Sequence, residues 1–376
     1  MSAPAGPPST LENVGAPSYP LNAWYAAAWD HEVARTLYPV RVADRPLVLY
    51  RRADGTPVAL ADRCWHRLVP LSMGSLVGDD VECGYHGIRY DGHGRATHMP
   101  AQQTINPSAC VRSYPVVEAH RFVWVWPGDP ARADPTLVPD LHWNDDPAWA
   151  GDGRTISARC DYRLVVDNLM DLTHEAFVHG SSLANDELNE AEIEVRHEGT
   201  SVTVTRWMLG IMPPPFWKFQ LGCRFPDYTG PVDRWQIIRF TAPSTISIDV
   251  GVAKAGTGAP EGDRSQGVTN QILNTMSPQT RDTCLYFWAN ARSFSLGDQK
   301  LTTQLRYGVA RVFLEDETML NAQQAAIDAD PDYEVYNLNI DAGGMWARRA
   351  ISALIDAELA LDPASGRSHT TEPAPA

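Results

Sequence analysis

Cys64-Trp65-His66-Arg67 and Cys83-Gly84-Tyr85-His86-Gly87 are the two stretches that decide how this chain is read. The pattern is Cys-x-His, sixteen residues, then Cys-x2-His. Two thiolates and two imidazoles can close a tetrahedral zinc site or hold one edge of an iron–sulfur cluster. Structural zinc sites with this donor set usually begin with Cys-x2-4-Cys, and Cys-x-His is unusual among them. In a [2Fe–2S] centre with two Cys on one iron and two His on the other, each short segment supplies one ligand to each iron. The neutral imidazoles raise the reduction potential, because less negative charge opposes an added electron. Gly84 and Gly87 let the backbone come close enough for N–H groups to reach sulfur. The cluster is therefore preferred to zinc.

The residues around this motif read as short strands and tight turns from Tyr38 to Pro127. Leu47–Arg51 and Val58–Ala61 are strand-like and flank the turn signal Asp54-Gly55, and Asp91-Gly92 is a second turn. Phe122 to Trp126 is aromatic and β-branched, hence strand, and Pro127-Gly128 ends it. A chain of 376 residues exceeds one ordinary core and fits two domains. The expected organisation is a tail over 1–20, an all-β cluster domain over 21–128, a proline-rich linker over 129–150, a second domain over 151–363 and a tail over 364–376. The second domain is expected to be α+β. Asp161–Val178 reads as strand passing into helix, and Glu192–Trp207 as a hairpin turning at Gly199. Ile246–Val252 and Cys284–Ala291 read as strands, Asp298 to Ile327 and Trp346–Leu361 as helices. The fold class is thus an N-terminal all-β unit followed by an antiparallel sheet with covering helices.

The second chemical constellation is Asp167-Asn168-Leu169-Met170-Asp171-Leu172-Thr173-His174-Glu175-Ala176-Phe177-Val178-His179. A face of two His and one carboxylate leaves positions open for O2 and suits non-haem Fe(II). Five residues of ideal helix turn through about 500°, so His174 and His179 would diverge by about 140°. Their convergence requires a helix end, a π-bulge or a loop just before Gly180. Asp171 is placed one turn before His174, as an acceptor for its imidazole. Glu315, Asp316 and Glu317 are candidates for the carboxylate. Asp316 shares a helix face with Val312, Phe313, Met319 and Leu320, whereas Glu315 and Glu317 are assigned to solvent. Phe216, Trp217, Trp207 and Tyr307 are candidate pocket walls or core. Arg206, Lys218, Arg224, Arg234 and Arg239 are candidate partners for an anionic substrate.

These motifs resemble the Rieske non-haem iron aromatic oxygenases, and within them the oxygenase subunits of vanillate O-demethylases. The resemblance is carried by Asn22-Ala23-Trp24-Tyr25, the two cysteine–histidine segments with Pro70-Leu71-Ser72, and Asp167 to His179. Pro214-Pro215-Phe216-Trp217, Val232-Asp233-Arg234-Trp235-Gln236 and Asn339-Ile340-Asp341-Ala342-Gly343-Gly344 extend it. Trp65 departs from it, standing where many members carry Pro. The resemblance implies Cys64, His66, Cys83 and His86 as ligands of a Rieske [2Fe–2S] cluster, and His174, His179 and Asp316 as ligands of a mononuclear Fe(II). It implies Asp171 as the bridge to a Rieske histidine of a neighbouring subunit, Asn168 as a polar group beside the iron, and a head-to-tail homotrimer. It further implies O2, a small aromatic substrate, and a separate NADH-oxidising flavin/iron–sulfur reductase. The implied reaction is monooxygenation of a methoxybenzoate methyl group, vanillate first, with isovanillate, another methoxybenzoate or an aryl sulfonate methyl group as alternatives. An electron carrier without catalytic iron is a competing class, and a zinc-stabilised binding protein a third.

The net charge of −15 disfavours phosphate backbones, so no nucleic-acid partner is expected. No run of 18 apolar residues exists, so no helix is expected to span a membrane. The N-terminal stretch lacks the basic start and apolar run of a secretory signal. Six dispersed cysteines then point to a reduced, cytoplasmic setting, with Cys110, Cys160, Cys223 and Cys284 read as buried thiols.

Overall fold

The computed structural model describes residues 19–100, 102–179 and 191–361. The expected tails therefore lie almost wholly outside the described residues. Their inner edge does not: Tyr19 and Pro20 are buried, and the Tyr19 hydroxyl donates to Asp44. Folded structure begins at least two residues before the expected boundary.

The N-terminal unit is all β. One sheet joins Tyr25–Trp29, Phe122–Val125 and Val116–Ala119; a second joins Tyr38–Val42, Arg45–Arg51, Pro57–Ala61 and Ser113–Tyr114. A third, of Ser75–Val77, Asp80–Glu82, Arg89–Tyr90 and Ala96–His98, carries the second cysteine–histidine segment. Turn chemistry fixes these registers. Ala43 and Asp44 both take positive φ in the tight turn between Val42 and Arg45, and Gly55 takes φ +88° in the next one. The tip of the first hairpin reaches the second domain, where Ala43 N donates to Pro278 O at 2.7 Å and Asp44 N to Gln279 O at 3.1 Å. Ser277 Oγ donates to Ala26 O at 2.6 Å, a second tie between the units.

The segment read as a linker is packed rather than free. Asp129 and Asp134 each cap a short helical turn that starts at a proline. Leu141 is buried with Trp24, Trp124 and Trp126 of one domain and Leu273 and Phe287 of the other. Burying such large apolar side chains contributes roughly 1.5–3 kcal/mol each, so the segment cements the two units.

The second domain is built on an antiparallel sheet of seven strands among the described residues. In spatial order they are Ala150–Ala158, Thr283–Arg292, Gly267–Thr280, Thr245–Lys254, Val232–Thr241, Ser201–Ile211 and Ile193–Glu198. Six form a meander, and the first strand in sequence joins beside the last. Among the described residues five helices accompany the sheet: α1 (Tyr162–Met170), α2 (Glu175–Val178), α3 (Pro215–Arg224), α4 (Gln299–Ala329) and α5 (Ala342–Leu361). Asp298 caps α4, its side chain accepting from Leu301 N. α5 lies close against α1: a Cβ at Gly343 would stand 2.9 Å from Met170 O. Arg348 of α5 grips the Asp167 carboxylate through Nε at 3.0 Å and a second guanidinium nitrogen at 2.5 Å. These contacts hold α1, and the segment that follows it, over the sheet.

Candidate metal centres and cavity

Cys64 and Cys83 are buried, and their thiols lie close enough to interact. His66 and His86 are exposed, with ring centroids 4.7 Å apart. The four side chains thus sort into a sulfur pair inside and a nitrogen pair outside. No three of them bring donor atoms within 4.8 Å of one another, the spacing that the residues described below do meet. A tetrahedral zinc site would draw all four that close, whereas a cluster of two irons and two sulfides stands between them. The donor set and its sorting therefore fit a two-iron cluster. The Tyr90 hydroxyl lies 3.2 Å from Cys64 Sγ and 3.2 Å from Trp65 N, able to donate to a cluster thiolate. Burial, with the adjacent Cys64 thiol, pushes the Tyr90 phenol up, so it keeps its proton.

Among the described residues, His174, His179 and Asp316 form the group whose three donor atoms lie within 4.8 Å. Backbone design explains the convergence. α1 stops at Met170, Asp171 is extended, and α2 is a single turn with His174 just before it and His179 just after it. The required irregularity is thus a helix end on either side of one turn. Both Nε2 atoms face Asp316 Oδ1, at 3.5 Å from His174 and 3.1 Å from His179. Asn168 Nδ2 donates to the same oxygen at 3.2 Å.

Each imidazole has its other nitrogen held by a carboxylate. His174 Nδ1 is 3.3 Å from Asp171 Oδ2, and His179 Nδ1 is 2.8 Å from Glu315 Oε2. A proton on Nδ1 leaves the Nε2 lone pair for a metal. The Asp171 contact is as expected, but its reason differs. Asp171 lies outside the helix and reaches His174 through a turn in which it also accepts from Thr173 N and Oγ1, both at 2.7 Å. Burial opposes its charge, and the His174 and Thr173 hydrogen bonds outweigh burial and hold its carboxyl below the usual range. Burial likewise opposes charge on His179, and Asp316 and Glu315 outweigh it. Glu315 was assigned to solvent because its neighbour points inward. It stands about 100° around the helix from Asp316, where α2 happens to arrive. Met319, placed on the inner face with Asp316, is exposed.

Glu175, between the two histidines, is buried with a partner set of its own. Its Oε2 accepts from Arg206 at 2.5 Å and from Gln236 Nε2 at 2.9 Å, and its Oε1 accepts from Arg234 at 2.6 Å. Burial would raise its carboxyl, and the two guanidinium groups outweigh burial and lower it. Arg206, Arg234 and Gln236 sit at inward positions, each two residues from Val204, Val232 or Ile238 and on the same face of its strand. Charged residues at core-facing positions were the sequence signal for this network.

A cavity of about 130 Å³ adjoins the group. It is walled by Phe216, Trp217, Ile238, Ile248, Ile272 and Val309, with Asn168, Arg234 and Asn270 among its polar residues. An apolar cavity of about 150 Å³ holds one benzene ring, so this one is sized for a single aromatic ring. Phe216 and Trp217 are walls as expected. Trp207 is not: it faces the other side of the sheet and packs on Trp235, which fits over Gly251 because that residue has no Cβ. Tyr307 is not a wall either. It is 63% exposed, nine residues from Asp316 and hence about half a turn out of phase. Of the five basic candidates, Arg234 lines the cavity. Arg206 lies behind it on Glu175, Arg224 donates to Gly267 O at 2.6 Å, and Arg239 stands 4.0 Å from Asp249. Cys160 and Cys284 are buried, but Cys110 and Cys223 are exposed.

Fold and donor sets together define a Rieske non-haem iron oxygenase. Residues 23–115 match the Rieske [2Fe-2S] domain, and residues 158–357 match the vanillate O-demethylase oxygenase C-terminal domain. The chain belongs to the latter family. A vanillate O-demethylase oxygenase subunit of Pseudomonas sp. (strain ATCC 19151) is 44% identical over 85% of this chain and 97% of its own length. The iron–sulfur subunit of a toluene-4-sulfonate monooxygenase system of Comamonas testosteroni is 38% identical over 90% of this chain and 97% of its own. A crystal structure of dicamba monooxygenase bound to 3,6-dichlorosalicylic acid superposes with a TM-score of 0.83 at 33% identity, covering 90% of this chain and 98% of that one. The chain is accordingly an oxidoreductase, the oxygenase component of a multi-component monooxygenase. Its family uses a [2Fe–2S] cluster, non-haem iron, O2 and electrons from an NADH-dependent reductase. No helix among the described residues is long and apolar enough to cross a membrane.

Proposed function

We propose that this chain O-demethylates a methoxybenzoate, with vanillate, O2, two electrons and two protons giving protocatechuate, formaldehyde and water. The observation that carries this reading is the one-ring apolar cavity that opens on His174, His179 and Asp316. His174, His179 and Asp316 would hold Fe(II), and Cys64, His66, Cys83 and His86 a [2Fe–2S] cluster; bound, these groups supply single electrons and the activation of O2.

The chain's own residues do the positioning. Asp171 and Glu315 fix the ring orientation and tautomer of the two histidines. Asn168 holds the Asp316 oxygen that faces both rings. The Glu175 network pins the turn carrying both histidines to the sheet. The apolar walls exclude water, which limits wasteful reduction of O2. Arg234 lines the cavity while paired with Glu175, and a guanidinium with five N–H donors can serve a second carboxylate such as that of a benzoate.

Electron supply is read as passing between subunits of a head-to-tail homotrimer, from His66 or His86 of one subunit through Asp171 to His174 of the next. Two features support this. His66 and His86 are exposed beside Trp65, Leu68 and Tyr85, and the Asp171 side chain keeps 24% of its surface open. A cytoplasmic setting, where NADH is supplied, belongs to the same reading. The identity to the toluene-4-sulfonate system subunit favours an aryl sulfonate methyl group as the second substrate reading.

The deciding experiment incubates the purified iron-loaded chain with a compatible reductase, NADH, O2 and either vanillate or toluene-4-sulfonate. Protocatechuate and formaldehyde in equal amounts are the expected result. Turnover of the sulfonate alone would move the assignment to the second reading.

A further inference from the structure

Asn270 is the fourth residue of the strand Gly267–Thr280, and it and Ile272, two positions on and so on the same face, line the cavity. In register across the sheet, Arg206, Gln236, Val250, Asn270 and Arg292 form one row. Arg206 and Gln236 are committed to Glu175, and Arg292 donates to Thr302 Oγ1 and to the carbonyls of Ser295 and Asp298. Asn270 differs. It is 0% exposed and lines the cavity, yet neither its Oδ1 nor its Nδ2 has a hydrogen-bond partner among the described residues. The Trp217 indole Nε1, on α3 packed against the same strand, lines the same cavity and is also without a partner. Buried amides are almost always hydrogen-bonded in folded proteins. Gln220 and Asn290 are likewise without partners among the described residues but do not line the cavity; Asn270 and Trp217 do, and a ligand in that space can supply what they lack.

We propose that Asn270 selects the substrate, by hydrogen-bonding the phenolic hydroxyl of the ring that occupies this cavity. The proposal rests on the reading of the chain as a methoxybenzoate O-demethylase. The chemistry of the amide chooses the group. A neutral hydroxyl can donate to Oδ1 or accept from Nδ2, and it can also accept from Trp217 Nε1. A carboxylate can use only the donor and would set its charge against Oδ1. Arg234, which lines the cavity while paired with Glu175, stands two strands across from Asn270 and two residues along, about 12 Å away at the backbone. A ring carrying a carboxylate and a hydroxyl on opposite carbons fits that span, with the hydroxyl at Asn270.

The test measures equilibrium binding to the full iron-loaded chain of two pairs that differ by one hydroxyl: vanillate against 3-methoxybenzoate, and guaiacol against anisole. Turnover, iron content and the visible spectrum are read in parallel. The wild type is expected to favour the hydroxylated member of each pair about tenfold or more, since a site built for a hydroxyl rejects the analogue lacking it. Asn270→Leu, similar in size, is expected to bring both ratios within about threefold while the metals are retained. No preference in the wild type would overturn the proposal without any variant. So would a folded Asn270→Leu that keeps the preference, or one that weakens both members equally. If that variant does not fold, Asn270→Ala, which also removes both amide atoms, is read in the same way: ratios within about threefold are expected, and a preference kept at its wild-type size overturns the proposal. Absence of turnover for every methoxybenzoate with an active reductase removes the demethylase reading, while the binding ratios still judge Asn270.

Discussion

His179 Nδ1 and Glu315 Oε2 lie 2.8 Å apart, the shorter of the two carboxylate contacts that hold the candidate iron histidines. Such outer carboxylates orient the imidazole and raise its basicity toward the metal. Glu315→Gln should therefore fold normally and bind iron about 10- to 100-fold more weakly. Chelator competition on the reconstituted protein measures this. Iron retention equal to wild type would remove Glu315 from the centre.

Asp316→Ala should lose the mononuclear iron and all turnover, yet keep the visible spectrum of the cluster. The two donor sets sit in different domains and share no residue. Metal analysis should fall from three irons per chain to two, as the cluster holds about two. A variant retaining three would show that another carboxylate serves as ligand.

Asp171→Asn should retain both centres and slow turnover severely. The amide preserves size but lacks the charge that now accepts from Thr173 N and faces His174 Nδ1. Stopped-flow oxidation of the reduced cluster in the presence of substrate reports the electron step directly. Wild-type rates there would sink the bridging role.

Glu175→Ala should cost about 3–5 kcal/mol, because it leaves two buried guanidinium groups without their shared anion. Chemical denaturation followed by tryptophan fluorescence measures the loss. A change under about 1 kcal/mol would mean that water or another group compensates in place.

Tyr90→Phe should lower the cluster potential. Removing one hydrogen bond to Cys64 Sγ removes about 1 kcal/mol of preference for the reduced, more negative state, or about 40 mV for one electron. Redox titration of the visible spectrum checks it, and an unchanged midpoint would show that the hydroxyl serves Trp65 N alone.

The cysteine–histidine and histidine pairs of the two candidate metal centres were legible because their spacing is local, whereas Asp316 came from the periodicity of a distant helix. Cys64 and His66, Cys83 and His86, and His174 and His179 are separated by a few residues, so short segments bring each pair together. Strands with alternating patterns were legible too: the hairpin turning at Gly199 and the capped helix starting after Asp298 lie where their residues put them. Trp207 and Tyr307 misled because aromatic character does not record which face of a strand or helix meets the cavity.

By itself the sequence determined which atoms can bind metal, since donor type and short spacing survive any packing of the chain. It also determined the irregularity between His174 and His179, because a continuous helix cannot point residues five apart at one ion. The tertiary structure alone decided that Glu315 reaches His179, that Glu175 lies between two arginines from separate strands, and that Asn270 lines the cavity without a partner among the described residues. Each of these depends on contacts between residues more than thirty positions apart or on the packing of several elements around one space. Such contacts arise when helices settle onto a sheet, and no periodicity within one element encodes them.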